Sequence, residues 1–260
     1  MAKGKTALIT GASSGIGKEL AIIHASRGGN LILVARREAE LKALKTELES
    51  NHKIKVDYFV KDLSIVGSAK ELFEEIKSAN LDVDYLINNA GFGQLGKFHE
   101  IPWERELQMI NLNMIALTEL TYLFIPELIK RDGKILNTSS TASLVPGPLQ
   151  AVYFATKAYV TSLSNALSNE LSETKVTVTN LMPGATESEF EKTAGLDDTP
   201  LFAKPASTVS VALDGYNAMM RGCIDVISGV PFAGRVMITL GKFAPKKMVL
   251  KQLRAMQEAK

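Results

Sequence analysis

The sequence predicts an α/β fold, a doubly wound parallel sheet of about seven strands flanked by helices on both faces. Three observations predict it. Short apolar runs alternate with longer amphipathic segments along the chain, and alternating β and α units imply a parallel sheet covered by helices. A glycine-rich turn, from Gly11 to Gly17, joins the first apolar run to the first helical pattern. No Ser/Gly linker, repeat or low-complexity tract divides the 260 residues, so 1–260 is expected to be one domain that buries a substantial core.

In chain order, the strand at 6–10 rests on Ala7, Leu8 and Ile9, and the helix at 15–27 on Leu20, Ile23, His24 and Arg27. The strand at 30–35 ends in Leu33-Val34-Ala35 and is followed by a helix at 38–50. A strand at 53–60 and a helix at 65–79 complete the third unit. The strand at 84–88 leads into Asn88-Asn89-Ala90-Gly91 and then a long helix at 103–130. The strand at 134–139 precedes a helix at 150–173, the strand at 175–182 runs into Pro183-Gly184, and a helix at 206–221 precedes a last strand at 223–227.

Composition fits this reading. Hydrophobic content of 46%, charged content of 22% and a net charge of +2 are ordinary for a soluble globular protein and suggest no nucleic-acid partner. No uninterrupted run of 18 apolar residues occurs, so no membrane-crossing helix is expected. The segment Met1 to Thr6 leaves no room for a signal peptide, and Cys223 is the only cysteine. A reducing, cytoplasmic location is therefore expected. His24, His52 and His99 stand at no ligand spacing and read as surface or helix residues, and no cluster suggests a metal.

Two motifs carry chemistry. Tyr153 and Lys157 are four residues apart, which on a helix places them on one face. An ammonium so placed favours the phenolate and fits the tyrosine for general acid–base work. The run Thr10-Gly11-Ala12-Ser13-Ser14-Gly15-Ile16-Gly17 sits between a strand and a helix, the context of a dinucleotide-phosphate loop. Gly11 permits the tight turn, Gly15 lets the backbone approach a pyrophosphate, and Gly17 lets the helix pack close to the strand. Phosphates would rest on the free N–H groups at the helix N-terminus.

With these residues the chain resembles the short-chain dehydrogenase/reductase family of single-domain, Rossmann-like enzymes, over nearly its whole length. Thr10 to Gly17 matches the family's TGxxxGIG loop, and the spacing is GxxxGxG rather than the generic GxGxxG. Asn88-Asn89-Ala90-Gly91 matches its NNAG motif, Pro183-Gly184 its PG motif, and Ser140 stands 13 residues before Tyr153, as the family's catalytic serine does. The resemblance implies an oxidoreductase that interconverts a carbonyl and a secondary alcohol with a nicotinamide cofactor. Asn113, Ser140, Tyr153 and Lys157 would be its catalytic residues. Ser140 would donate to the carbonyl oxygen, Tyr153 would protonate it, Lys157 would stabilise the phenolate and hold the ribose, and Asn113 would hold a water that links Lys157 to solvent. Asn111 competes with Asn113. Ala116, Pro126 and the 27-residue spacing to Ser140 favour Asn113, although the family often has glycine where Ala116 stands. Ser139 competes with Ser140 and loses on spacing and on strand alternation.

The resemblance also assigns cofactor contacts. The second strand ends in Arg36-Arg37 with no acid before Glu38, which favours the extra phosphate of NADP(H) over NAD(H). Arg36 is the first choice and Arg37 the second, with Ser13 as a hydroxyl partner. Asp62 and Leu63 would contact the adenine, and Asp62 reads equally as the N-cap of the next helix. Asn89, Ala90 and Gly91 would line the strand-end crevice with Pro183 and Gly184. Thr186 would reach the carboxamide, or cap the helix after it. Pocket-lining candidates are 93–96, Leu144-Val145-Pro146, and 185–205 with Phe190, Leu201 and Phe202. The resemblance implies a small carbonyl compound or alcohol as substrate, and a homodimer or homotetramer through 103–130 and 150–173.

Residues 234–260 form a basic extension with seven Lys/Arg against one Glu, and Val249, Leu253 and Met256 recur at i, i+4, i+7. Such a helix could lie on an anionic membrane surface or pack its apolar face on the domain or a second subunit; packing is preferred. Two other classes of function compete with the enzyme. A non-catalytic dinucleotide sensor would not need Ser140, Tyr153 and Lys157. An epimerase or dehydratase on the same fold would carry a longer region after Pro183.

Overall fold

Strand β1 (Thr6–Thr10) lies between β2 (Asn30–Ala35) and β4 (Tyr85–Asn88), and this adjacency fixes where a ligand can bind. The computed structural model describes residues 2–231, 234–235 and 244–258. Outward from that centre come β3 (Val56–Val60) on one side and β5 (Lys134–Thr138), β6 (Thr177–Pro183) and β7 (Asp225–Ser228) on the other. All pairs are parallel, in the order β3-β2-β1-β4-β5-β6-β7. The order reverses between β1 and β4, so their C-terminal ends open a crevice, the ligand site of doubly wound sheets.

Side chains alternate along each strand and feed two layers. Ile9, Leu31 and Leu33 face helices α1 (Gly15–Ser26), α2 (Glu38–His52) and α8 (Thr208–Arg221), where Leu20, Leu41 and Tyr216 are fully buried. Leu8, Ile32 and Val34 face α3 (Ser68–Ser78) and the long helical segment 103–130, against Leu72, Ile76 and Phe124. Each such Leu or Ile stabilises the fold by about 1.5–3 kcal/mol relative to exposure.

Several predicted boundaries move, for local reasons. The third strand starts at Val56 rather than 53, because α2 runs on to His52 and Lys53 ends it in the left-handed conformation (φ 50°). The last strand starts at Asp225, after Gly222 closes α8 (φ 72°). The sixth strand runs Thr177–Pro183, and helix α6 covers Ala151–Glu170 rather than 150–173. The third helix starts at Ser68 behind Gly67, so Asp62 is not its N-cap; Asp62 Oδ1 instead accepts from Ser64 N–H (3.0 Å) and Ser64 Oγ–H (2.6 Å).

The segment predicted as one helix at 103–130 is α4 (Trp103–Ile110), a π turn at Asn111–Ala116 and α5 (Leu117–Lys130). By length and composition alone it could cross a membrane. In the fold its Met109, Leu120, Phe124 and Leu128 are buried, as in a core helix. His24, read as a surface or helix residue, lies on helix α1 and is fully buried there. Its Nε2 faces the Lys5 carbonyl at 3.0 Å and so carries the proton, leaving Nδ1 to accept from Tyr216 Oη–H at 2.8 Å. The described part of the C-terminal extension contains α9 (Lys246–Gln257); residues 236–243 and 259–260 lie outside the description.

Candidate active site

The loop from Gly11 to Gly17 closes on β4 without space for side chains at two positions. Gly11 has φ 68°, and a Cβ there would stand 2.9 Å from Ala90 Cα. A Cβ on Gly17 would stand 2.3 Å from Gly11 O, so the start of α1 rests directly on the loop backbone. Thr10 fastens the opposite wall: its Oγ1 accepts from the N–H groups of Asn89 and Ala90, both at 3.0 Å. Asn89 Nδ2 donates back to Thr10 O at 3.1 Å. Ser14 precedes the helix in extended conformation and makes no side-chain cap, which leaves the first N–H groups of α1 available to an anion.

Beyond the loop the two arginines part. Arg37 Nη2 donates to Ser13 Oγ at 3.1 Å and pairs with Glu189 Oε2 at 2.8 Å. Arg36 is more exposed and stands 3.8 Å from Asp62. Both line the cavity that begins here. Glu189 opens α7 (Glu189–Ala194), the helix that the sequence allowed for after Thr186 without bounds, as six residues show no clear periodicity. The Arg37 hydrogen bond, with help from Ser14, holds the Glu189 carboxyl below its ordinary pKa. Ser188 is the N-cap of α7, accepting from Phe190 N–H. Thr186 therefore is not that cap; it is buried, and its hydroxyl donates to Gly184 O at 2.9 Å.

Strand β5 and helix α6 bring the reactive groups together. Ser139 points away from the crevice, its hydroxyl donating to Lys157 O at 2.8 Å. Ser140 points into it, within hydrogen-bond reach of the Tyr153 phenol, and its Oγ accepts from Ala142 N–H at 3.1 Å. Lys157 Nζ donates to Thr138 O at 2.8 Å and lies 5.8 Å from the centroid of the Tyr153 ring. Both side chains are buried, and this governs their protonation. Burial pushes the phenol up to about 12, against a smaller downward pull from the Ser140 hydrogen bond, and pushes the ammonium down to about 8. The sequence reading expects Lys157 to depress the phenol; in the structure burial raises it, and the opposing pull comes from the Ser140 hydroxyl.

Asn113 lies in the π turn, completely buried behind Gly91. Its Nδ2 donates to Phe92 O (3.0 Å) and Thr156 Oγ1 (3.1 Å), and its Oδ1 accepts from Phe92 N–H (3.1 Å). Both amide hydrogens are spent, leaving one lone pair of Oδ1. A Cβ on Gly91 would stand 3.0 Å from that oxygen and 3.3 Å from Lys157 Nζ.

A single cavity of about 980 Å³ connects the glycine loop to Tyr153. Every cofactor-binding or catalytic residue predicted from the sequence lines it except Gly17 and Asn113, which stand behind the wall. Of the predicted pocket segments, Val145, Phe190, Leu201 and Phe202 face the cavity. Residues 93–96 support it: Leu95 N–H donates to Ala194 O and Gly96 N–H to Leu149 O, both at 2.8 Å. The far wall is α9, whose Val249, Leu253 and Met256 face the cavity, so the apolar stripe of the basic extension is used inside the fold. Gln150 and Gln257 also line it and were missed, because a buried amide has no pattern in sequence.

A nicotinamide dinucleotide fits these walls. Gly11 and Gly91 line the cavity with backbone where a Cβ would crowd Ala90 and Asn113, and the free N–H groups, Ser13 and Arg37 gather where phosphates need donors. The short chain dehydrogenase family model matches residues 5–199. The chain is 34% identical over 223 residues to a very-long-chain 3-oxoacyl-CoA reductase from Meyerozyma guilliermondii, covering 78% of this chain and 63% of that protein. It is 34% identical over 193 residues to an uncharacterized oxidoreductase, YvaG, from Bacillus subtilis, covering 74% and 72%. A solved short-chain dehydrogenase from Sphingobium yanoikuyae in complex with NADPH superposes with a TM-score of 0.82 at 30% identity, over 98% of both chains. The chain belongs to the short-chain dehydrogenase family, and its fold is the Rossmann-like fold of that family.

Proposed function

We propose that the protein is an NADP(H)-dependent oxidoreductase that interconverts a carbonyl and a secondary alcohol. The observation that carries the proposal is the meeting of Ser140, Tyr153 and Lys157 in the cavity that begins at the glycine loop. Bound nicotinamide would supply or accept the hydride. In reduction, Ser140 donates a hydrogen bond to the substrate oxygen as negative charge builds there. The buried phenol of Tyr153, protonated at neutral pH, gives that oxygen its proton. Lys157 keeps a positive charge beside the ring, and Asn113 fixes Phe92 and Thr156 around them. Arg37 with Ser13, and Arg36 on the rim, hold the additional phosphate of NADP(H) through charge-assisted hydrogen bonds.

The apolar walls suit an apolar substrate, and the relative from Meyerozyma guilliermondii directs attention to acyl chains. NADPH absorbance followed across ketones, 3-oxoacyl thioesters and aldehydes tests the reading. Turnover of at least one is expected. NADPH binding without turnover of any of them, or of the matching alcohols with NADP, would favour a cofactor sensor instead.

A further inference from the structure

Gln150 is the N-cap of α6, three residues before Tyr153, and only 2% exposed. Its amide is oriented by a relay with one solution. The Pro148 carbonyl can only accept, so Gln257 turns Nε2 toward it, at 2.8 Å. The Oε1 of Gln257 then faces Gln150 and also can only accept, so Gln150 presents its own Nε2 at 2.5 Å. Gln150 Oε1 is thereby aimed away from Gln257, and no donor among the described residues reaches it. It stands beside the reaction centre: a Cβ built on Gly93 would meet Phe190 Cζ at 2.9 Å and both Gln150 Oε1 and Tyr153 Cδ2 at 3.3 Å. A buried carbonyl oxygen without a donor is costly, and the side chain that carries it belongs to a residue of the cavity wall.

We infer that Gln150 Oε1 is a specificity-determining acceptor, and that the substrate is an apolar ketone or alcohol carrying a second polar group, a hydroxyl or amide N–H, that donates to it. The inference rests on the oxidoreductase reading above. A cationic donor fits less well, because the acidic residues that line the cavity, Asp62 and Glu189, belong to the arginine end. Helix α9 takes part through Gln257, which sets the direction of the Gln150 amide from 107 positions away.

A medium-chain methyl ketone compared with its monohydroxy isomers reads this out. The best hydroxy ketone is expected to exceed the parent ketone in kcat/KM by roughly 10- to 100-fold. In Gln150→Met that ratio should fall toward one, chiefly through loss on the hydroxy ketone, with NADPH affinity retained by fluorescence titration. Gln257→Leu frees the Gln150 amide to rotate and should give an intermediate ratio; it carries the test where Gln150→Met does not fold. Calorimetric affinities of the same ketones for the NADPH complex give the ratio without turnover. Absence of turnover therefore counts against the oxidoreductase reading alone. A wild-type ratio near one for every isomer, or a ratio unchanged in both variants, overturns the role of Gln150.

Discussion

Burial moves Tyr153 and Lys157 in opposite directions from their ordinary values, the phenol up and the ammonium down, and this makes the pair directional. A phenol near 12 is a stored proton rather than a base at neutral pH, and an ammonium near 8 loses its charge within the physiological range. Ketone reduction should be flat up to about pH 8 and fall above it as Lys157 deprotonates, measured as kcat/KM with NADPH. Tyr153→Phe keeps the ring against Phe190 and removes only the acid, so turnover should drop on the order of 10²–10⁴ while NADPH binding survives. Near-wild-type turnover by that variant would discard Tyr153 as the proton donor. His24 supplies a second titration. Burial lowers it from 6.5 to about 4, so the unfolded chain takes up the proton first, and stability is full above 6.5 and lost as pH falls toward 4. The loss is on the order of 3 kcal/mol. Thermal melts of His24→Gln should show a shallower decline over that window than the wild type, and equal slopes would remove His24 from the account.

The elements divide by how they were legible. Strands β1, β2 and β4 and the glycine loop could be read because steric need writes itself in residue type: apolar runs for a sheet buried on both faces, glycine where Gly11 O stands 2.3 Å from a Cβ on Gly17. Ser140, Tyr153 and Lys157 could be read because spacing on a strand and a helix fixes their directions. The π turn could not, since Ile110 to Ala116 carries the same apolar pattern either way, and what selects it is tertiary, the Asn113 amide bonded to Phe92 and Thr156. Helix α7 was legible only as a helix after Thr186, without bounds, because six residues show no clear periodicity, and it places a carboxylate beside the proposed phosphate contacts. Its Glu189 carboxylate accepts from Arg37 and Ser14, donors that the proposed phosphate contacts also require. NADPH must take them over. NADPH is therefore expected to bind roughly 10- to 100-fold tighter than NADH, and Glu189→Gln should tighten NADPH a further two- to fivefold or so, the scale of an exposed ion pair. Fluorescence titration checks both, and weaker NADPH binding by Glu189→Gln would show that the carboxylate orders the site instead of competing for it.

At the scale of the molecule, α9 walls one side of the cavity from within the chain, while a second apolar surface has no cover among the described residues. Trp103, Leu107, Ile115, Tyr122 and Ile129 recur at intervals of four, eight, seven and seven and are all exposed, Tyr122 at 77%. These intervals keep one face of a helix, so the residues form a stripe roughly 40 Å long. Stable interfaces require about 800 Å² from each partner, and a stripe of that length packed on its symmetry copy is of the right order. The protein is therefore expected to be a dimer, or a tetramer built from such dimers, with a mass in light scattering of two or four times 28.2 kDa. Ile115→Asp combined with Tyr122→Asp places two charges at the centre of the stripe, where burial without partners is prohibitive, and should give monomers. Neither residue lines the cavity, so the monomer should keep wild-type NADPH affinity. A wild-type protein that is monomeric at micromolar concentration would leave the stripe without this role. A monomer that loses NADPH binding would show that association also shapes the crevice, through the helix that carries Asn113.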